Sequence, residues 1–239
     1  MAGAPGSPLA RIVLLALYTL ALTVPVSALP LAYRLKVGST YSYEIVQRST
    51  SEVSSNEIRS SHPQERTTKL EVLVLAFRDG VYVLDILSGD RRIRRYMRPN
   101  GAVVASPSEP GTELPFFAVF PEGDAVTGKP WKQTTSFPLG KGTVPASWET
   151  TLTGLDGSKK KATVTVTGSV TLPSDRVISR SLQSRGTLVL NLETGCPDRA
   201  DWTVSYELTY ANKEIAVTRD LWSVRETRSS SCKLTGVKP

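Results

Sequence analysis

The stretch Lys69–Leu87, KLEVLVLAFRDGVYVLDIL, decides the fold. Two short runs rich in Val, Leu, Ile and aromatic residues flank Asp79-Gly80. Asp and Gly both tolerate positive φ, so this pair between apolar runs is a strong signal for a two-residue β-hairpin. Outward in one direction, Ser88-Gly89-Asp90 makes a second turn, Arg91–Arg98 (RRIRRYMR) continues as a third strand, and Pro99-Asn100-Gly101 closes the meander. In the other direction Tyr33, Leu35 and Val37 alternate with polar residues, Gly38-Ser39 turns the chain, and Tyr41, Tyr43 and Ile45 resume the alternation. A period of two places one set of side chains on each face of a strand. The polar, Ser-rich stretch Gln47–Arg66 reads either as a loop or as two strand extensions wet on both faces.

The second half repeats this style. Trp148–Leu152 and Ala162–Val170 flank Asp156-Gly157, Arg185–Leu192 is a further strand, and Trp202–Tyr210 and Ile215–Val224 form a late hairpin. Ser174–Ser184 is the one stretch that reads as a helix candidate. Between the halves, Ser106–Gly111 is Pro-rich, and Leu114–Phe120 (LPFFAVF) is an apolar island bounded by Pro115 and Pro121, which bars it from a central strand. The expected fold is all-β, an antiparallel meander forming a sandwich or open half-barrel of roughly 10–13 strands, with little helix. Residues 29–239 read as one domain, with two similar halves (29–105 and 130–239) joined by the loop 106–129.

The N-terminus sets the compartment. Arg11 precedes the apolar run Ile12–Val24, Pro25 breaks it, and Val26-Ser27-Ala28 puts small residues where a signal peptidase cuts. Residues 1–28 therefore read as a secretory signal, with the mature chain starting near Leu29 in a secreted or periplasmic setting and no later transmembrane span. An uncleaved signal anchor is the alternative. The chain carries a formal charge of +7, and about +6 without Arg11. Outside the cytoplasm that charge favours anionic lipid or glycan over nucleic acid. Cys196 and Cys232 are an even count, for which a disulfide is the expectation in an oxidising compartment. If Tyr210 faces Ile215, the two thiols lie within a residue or two of register, and a bridge contributes roughly 3–4 kcal/mol.

Three blocks, LKVGSTYSY (35–43), FPEGDAVTGKPW (120–131) and RGTLVLNLETG (185–195), resemble those of an uncharacterised family of exported bacterial β-rich proteins. The likeness spans most of the mature chain. Many members look like lipoproteins, whereas this chain has no Cys at the cleavage point. The resemblance implies export and a β-rich fold, and brings no activity with it.

The residues offer little for catalysis. His62, the single histidine, sits in the Ser-rich stretch beside Pro63, a poor place for a rigidly held base. Ser158-Lys159-Lys160-Lys161 matches S-x-x-K in spelling, but follows Asp156-Gly157 at a hairpin tip instead of opening a helix. Thr127-Gly128-Lys129 lacks the rest of a phosphate loop, and Asp198 with Asp201 are too few carboxylates for calcium. No enzyme, cofactor or metal is expected. Binding candidates are Arg92, Arg94 and Arg98, which share a face with Tyr96 and suit phosphate, sulfate or carboxylate, and Phe116, Phe117 and Phe120, which suit an apolar ligand. The bland readings are an edge strand guarded by charge and an apolar plug for one end of the sheet. Together they suggest a non-catalytic scaffold for an amphipathic or anionic envelope ligand. The alternatives are a structural protein that meets envelope proteins and, more remotely, a hydrolase.

Overall fold

A computed structural model of the chain describes residues 28–54, 59–104, 117–139, 142–158, 160–170, 177–211 and 221–239. Among these the protein is all-β, with twelve strands: β1 (Ala28–Leu29), β2 (Thr40–Ser54), β3 (Arg59–Arg78), β4 (Val81–Ser88), β5 (Arg91–Met97), β6 (Ala125–Val126), β7 (Pro130–Leu139), β8 (Gly142–Leu155), β9 (Lys161–Val170), β10 (Val177–Asn191), β11 (Cys196–Ala211) and β12 (Leu221–Lys238). β1 pairs with β6, and the other ten form one antiparallel sheet in the order β5-β4-β3-β2-β12-β11-β10-β9-β8-β7. The last strand pairs with β2, so the two halves of the chain share one sheet and one core.

The hairpin that anchored the sequence reading forms as expected, with Asp79 at φ 52° and Gly80 at φ 74°. The second Asp-Gly turn is built differently. The Asp156 carboxylate accepts from Ser158 Oγ (2.7 Å), Lys160 N (2.7 Å) and Lys161 N (3.0 Å), making a wider side-chain-capped loop. The Ser-rich stretch is strand extension: β2 runs to Ser54 and β3 starts at Arg59, and Ser61–Thr67 is exposed at every position. The helix candidate is corrected, because from Val177 onward it is β10, paired on both sides through Leu182–Asn191.

One face of the sheet carries the core. Val72 and Val74 of β3, Leu84 of β4, Leu152 of β8, Val164 of β9 and Leu188 and Leu190 of β10 are all buried there. Trp148 lies over Gly168 and Trp202 over Gly186, each cross-strand pair leaving no room for a β-carbon. The sheet is curled at this end. Laid flat at about 4.8 Å per strand, β5 and β7 would lie about 43 Å apart. Yet two adjacent residues reach both edges. Phe120 N donates to Asn100 O, just past β5 (2.7 Å), and Val119 O accepts from Trp131 Nε1 (3.0 Å) and Gln133 Nε2 (2.6 Å) of β7. Phe117 and Phe120 then pack on Tyr33, with ring centroids at 4.8 and 4.9 Å. The edges do not pair with each other, so the result is an open barrel plugged at one end.

The three sequence blocks meet at that plugged end. Arg34 N donates to Gly195 O (3.1 Å), and a β-carbon on Gly195 (φ 59°) would sit 2.2 Å from Arg34 N. Only glycine fits both the backbone and the space. Phe120 of the second block closes on Tyr33, beside the first.

The expected disulfide is corrected: Cys196 and Cys232 are free, buried thiols. The register explains it. Tyr210 faces Trp222 instead of Ile215, which sets Cys232 opposite Ala200, four residues along β11 from Cys196. Part of the connection assumed for that hairpin, residues 212–220, lies outside the described residues. The Cys196 thiol instead shares a hydrogen bond with Tyr43 Oη (3.1 Å). Burial raises the pKa of Cys196 to about 11 and that of Cys232 to about 12.

Candidate functional site

The face opposite the core is where alternation sends the polar half of every strand. Cross-strand pairing lines up one row there: Lys132 (β7), Glu149 (β8), Thr167 (β9), Arg185 (β10), Thr203 (β11), Ser229 (β12), Arg48 (β2) and Glu65 (β3). A trough of about 660 Å³ crosses β7 to β11, lined on this face by Thr, Ser, Gln, Lys132, Glu149 and Arg185. A second, of about 440 Å³, continues across β10 to β2 and contains Arg48, Arg185 and Arg199 with Asp201, Thr203 and Ser229. The two share Arg185 and Thr203, so they form one polar strip perpendicular to the strands.

Charges along the strip are mostly committed. Lys132 Nζ lies 3.7 Å from Glu149 Oε2, Arg48 Nε lies 2.9 Å from Glu65 Oε2, and Arg199 Nε lies 2.7 Å from Asp201 Oδ2. Arg185 is exposed and has no ion pair among the described residues. Its guanidinium keeps five N–H donors for solvent or a ligand, between hydroxyls on both flanks.

The basic strand singled out in the sequence is arranged otherwise. Arg92, Arg94 and Tyr96 do share the non-core face of β5, while Arg98 lies just past the strand end. Asp85, on the neighbouring β4, is only 1% exposed and lies beneath the two guanidiniums. Arg92 and Arg94 both hydrogen-bond its carboxylate, Arg94 Nε to Oδ1 at 2.9 Å and Arg92 Nε to Oδ2 at 2.8 Å. The hydrogen bond from Arg94, helped by that from Arg92, lowers the Asp85 pKa against the opposing effect of burial. Two cations are thus spent on one internal carboxylate.

The aromatic island is also spent internally. Phe117 and Phe120 are 7% and 1% exposed against Tyr33, the plug reading of that segment, and Phe116 lies outside the described residues. His62 is exposed, opposite Ser51 on the wet extension of the sheet. Asp198 pairs with Lys161 Nζ (2.9 Å) and Asp201 with Arg199, so each carboxylate already has a cation. Among the described residues no group of three or more His, Cys, Asp or Glu side chains is placed to hold a metal.

Sequence reasoning missed Arg48, Arg185 and Arg199, which are isolated in the sequence. Alternation alone puts each on the polar face, but only the β10-β11-β12-β2 register sets Arg48 and Arg185 in one row, with Arg199 four residues along β11 from it in the same trough. No family model matches the chain, and no curated protein does. Among solved structures the chain is similar to Pseudomonas aeruginosa OccK2 (OpdF), at 8% identity and a TM-score of 0.22, over 82% of this chain and 98% of that one. A likeness at that level carries no argument about fold or function.

Proposed function

We propose that the mature chain is an exported, non-catalytic β scaffold that binds an anionic, polyhydroxylated chain, an acidic glycan, along the polar strip. The observation that carries this reading is the pair of contiguous troughs that share Arg185 and Thr203. Hydroxyl, amide and guanidinium groups supply the donors and acceptors that sugar hydroxyls and acidic groups require. A net charge of about +6 on the mature chain steers such a ligand toward the surface. Export rests on the signal-like segment 1–28, and the absence of a catalytic assignment on the exposed, isolated setting of His62.

A glycan is favoured over a lipid because the island once available for acyl chains has Phe117 and Phe120 in the core. Isothermal titration of hexagalacturonate against maltohexaose tests the proposal. The acidic chain is expected to bind, more weakly as salt rises, and the neutral one to bind less. Failure of every acidic oligosaccharide to bind at low salt removes the reading, as would binding confined to anionic lipid vesicles. A structural role is the second reading, favoured by the open sheet, in which β5 and β7 are the two edge strands. Crosslinks from either edge to an envelope protein would support it.

A further inference from the structure

Resting on that reading and deepening it, we infer that the strip contains a discrete oxyanion subsite between Arg185 and Arg48, over the hydroxyls of Thr203 and Ser229, which takes a sulfate or phosphate ester carried by the glycan.

The four residues are consecutive in one cross-strand row: Arg185 faces Thr203, Thr203 faces Ser229, and Ser229 faces Arg48. Three strand spacings separate the two arginines, about 14 Å between backbones, with two short hydroxyl side chains as the floor. All four line the same trough of about 440 Å³. Two long cationic side chains flanking a floor of O–H donors match a tetrahedral oxyanion, which accepts hydrogen bonds on several sides.

Charge accounting picks out this place. The carboxylates near the row are each held by a cation: Glu65 bonds Arg48 from the β3 side, and Asp201, which lines the same trough, bonds Arg199. Among the described residues that leaves Arg185 as the arginine of the trough without an ion pair, at the opposite end of the row from Arg48. On β5 the situation is reversed, because Asp85 already occupies the point between Arg92 and Arg94 where an external anion would sit. Arg92 and Arg94 are therefore held on an internal carboxylate, and the scattered arginines make the open site.

The test uses the mature full-length chain and two probes, a heparin-derived hexasaccharide and its desulfated counterpart, which retains the carboxylates. The wild type is expected to bind the sulfated probe at least about tenfold more tightly, as charge-assisted contacts to a sulfate seated at the subsite imply. Arg185→Gln and Arg48→Gln should each remove most of that difference, weakening the sulfated probe by a clearly larger factor than the desulfated one. Inorganic sulfate should compete only with the sulfated probe. Arg185 is exposed and without an ion pair among the described residues, so Arg185→Gln should melt at the wild-type temperature, which keeps the comparison clean. If both probes bind and Arg185→Gln leaves the sulfated affinity unchanged, the subsite falls and the strip stands. If neither probe binds and hexagalacturonate also fails, both fall. If phosphatidylglycerol vesicles bind through Arg185 but neither hexasaccharide does, the ester belongs to a lipid and the glycan assignment is overturned.

Discussion

Replacing Phe120 with alanine tests the claim that residues 117–120 join the two ends of the curled sheet. Phe120 is 1% exposed and stacks on Tyr33 at 4.9 Å, while its own N–H reaches Asn100 O at 2.7 Å. Truncating a buried Phe to Ala costs about 3–5 kcal/mol in transfer and cavity terms, and the lost ring pair adds about 0.5–1.5 kcal/mol at contacts of this kind. Taking about 4 kcal/mol with a urea slope of about 2 kcal/mol/M, the midpoint should fall by about 2 M. Trp131 donates to Val119 O, so indole fluorescence reports the same region that the substitution loosens. Phe120→Leu keeps most of the apolar volume and should cost about 1 kcal/mol. Hydrogen exchange in Phe120→Ala should rise first at the ends of β5 and β7, which this segment ties together. A midpoint shift below about 0.5 M, or loosening spread evenly over the sheet, would refute the closure.

Other expectations follow from the same packing. Gly195→Ala places a β-carbon 2.2 Å from Arg34 N at φ 59°, so it should destabilise by about 2–3 kcal/mol, read as a lowered Tm or lost soluble yield. Folding lowers the Asp85 pKa, so its contribution is complete above the ordinary carboxylate pKa of about 4 and is lost as pH falls through the folded value. Asp85→Asn should therefore lower Tm at neutral pH, with the gap from wild type narrowing as the pH is taken down to about 2; a gap independent of pH refutes the clamp. With Cys196 raised to about 11, only about one thiol in a thousand is ionised at pH 8. Iodoacetamide should accordingly label neither cysteine in the native protein and both in urea, and an intact mass two hydrogen atoms short would restore the disulfide.

Strand content, the tight turn at Asp79-Gly80 and the division of each strand into apolar and polar faces were legible in the sequence, because they depend on neighbours within a few residues. Leu70, Val72 and Val74 announce a buried face wherever their strand ends up. What alternation cannot supply is which residue faces which across a gap in the chain. A seven-residue error at Tyr210 was enough to pair Cys196 with Cys232 in expectation, when Cys232 in fact faces Ala200. The same dependence hid the candidate site. Arg91–Arg98 is conspicuous as a run, yet Asp85 on the adjoining strand holds two of its guanidiniums, while Arg48 and Arg185 stand 137 positions apart and share a trough. The sequence by itself determined that this chain is a sheet with one dry face and one wet face, since side-chain period is a local property of extended backbone. Only the tertiary structure decided that Phe117 and Phe120 plug the end and where the uncommitted charge collects, since register and curl are set by contacts between residues far apart in the chain.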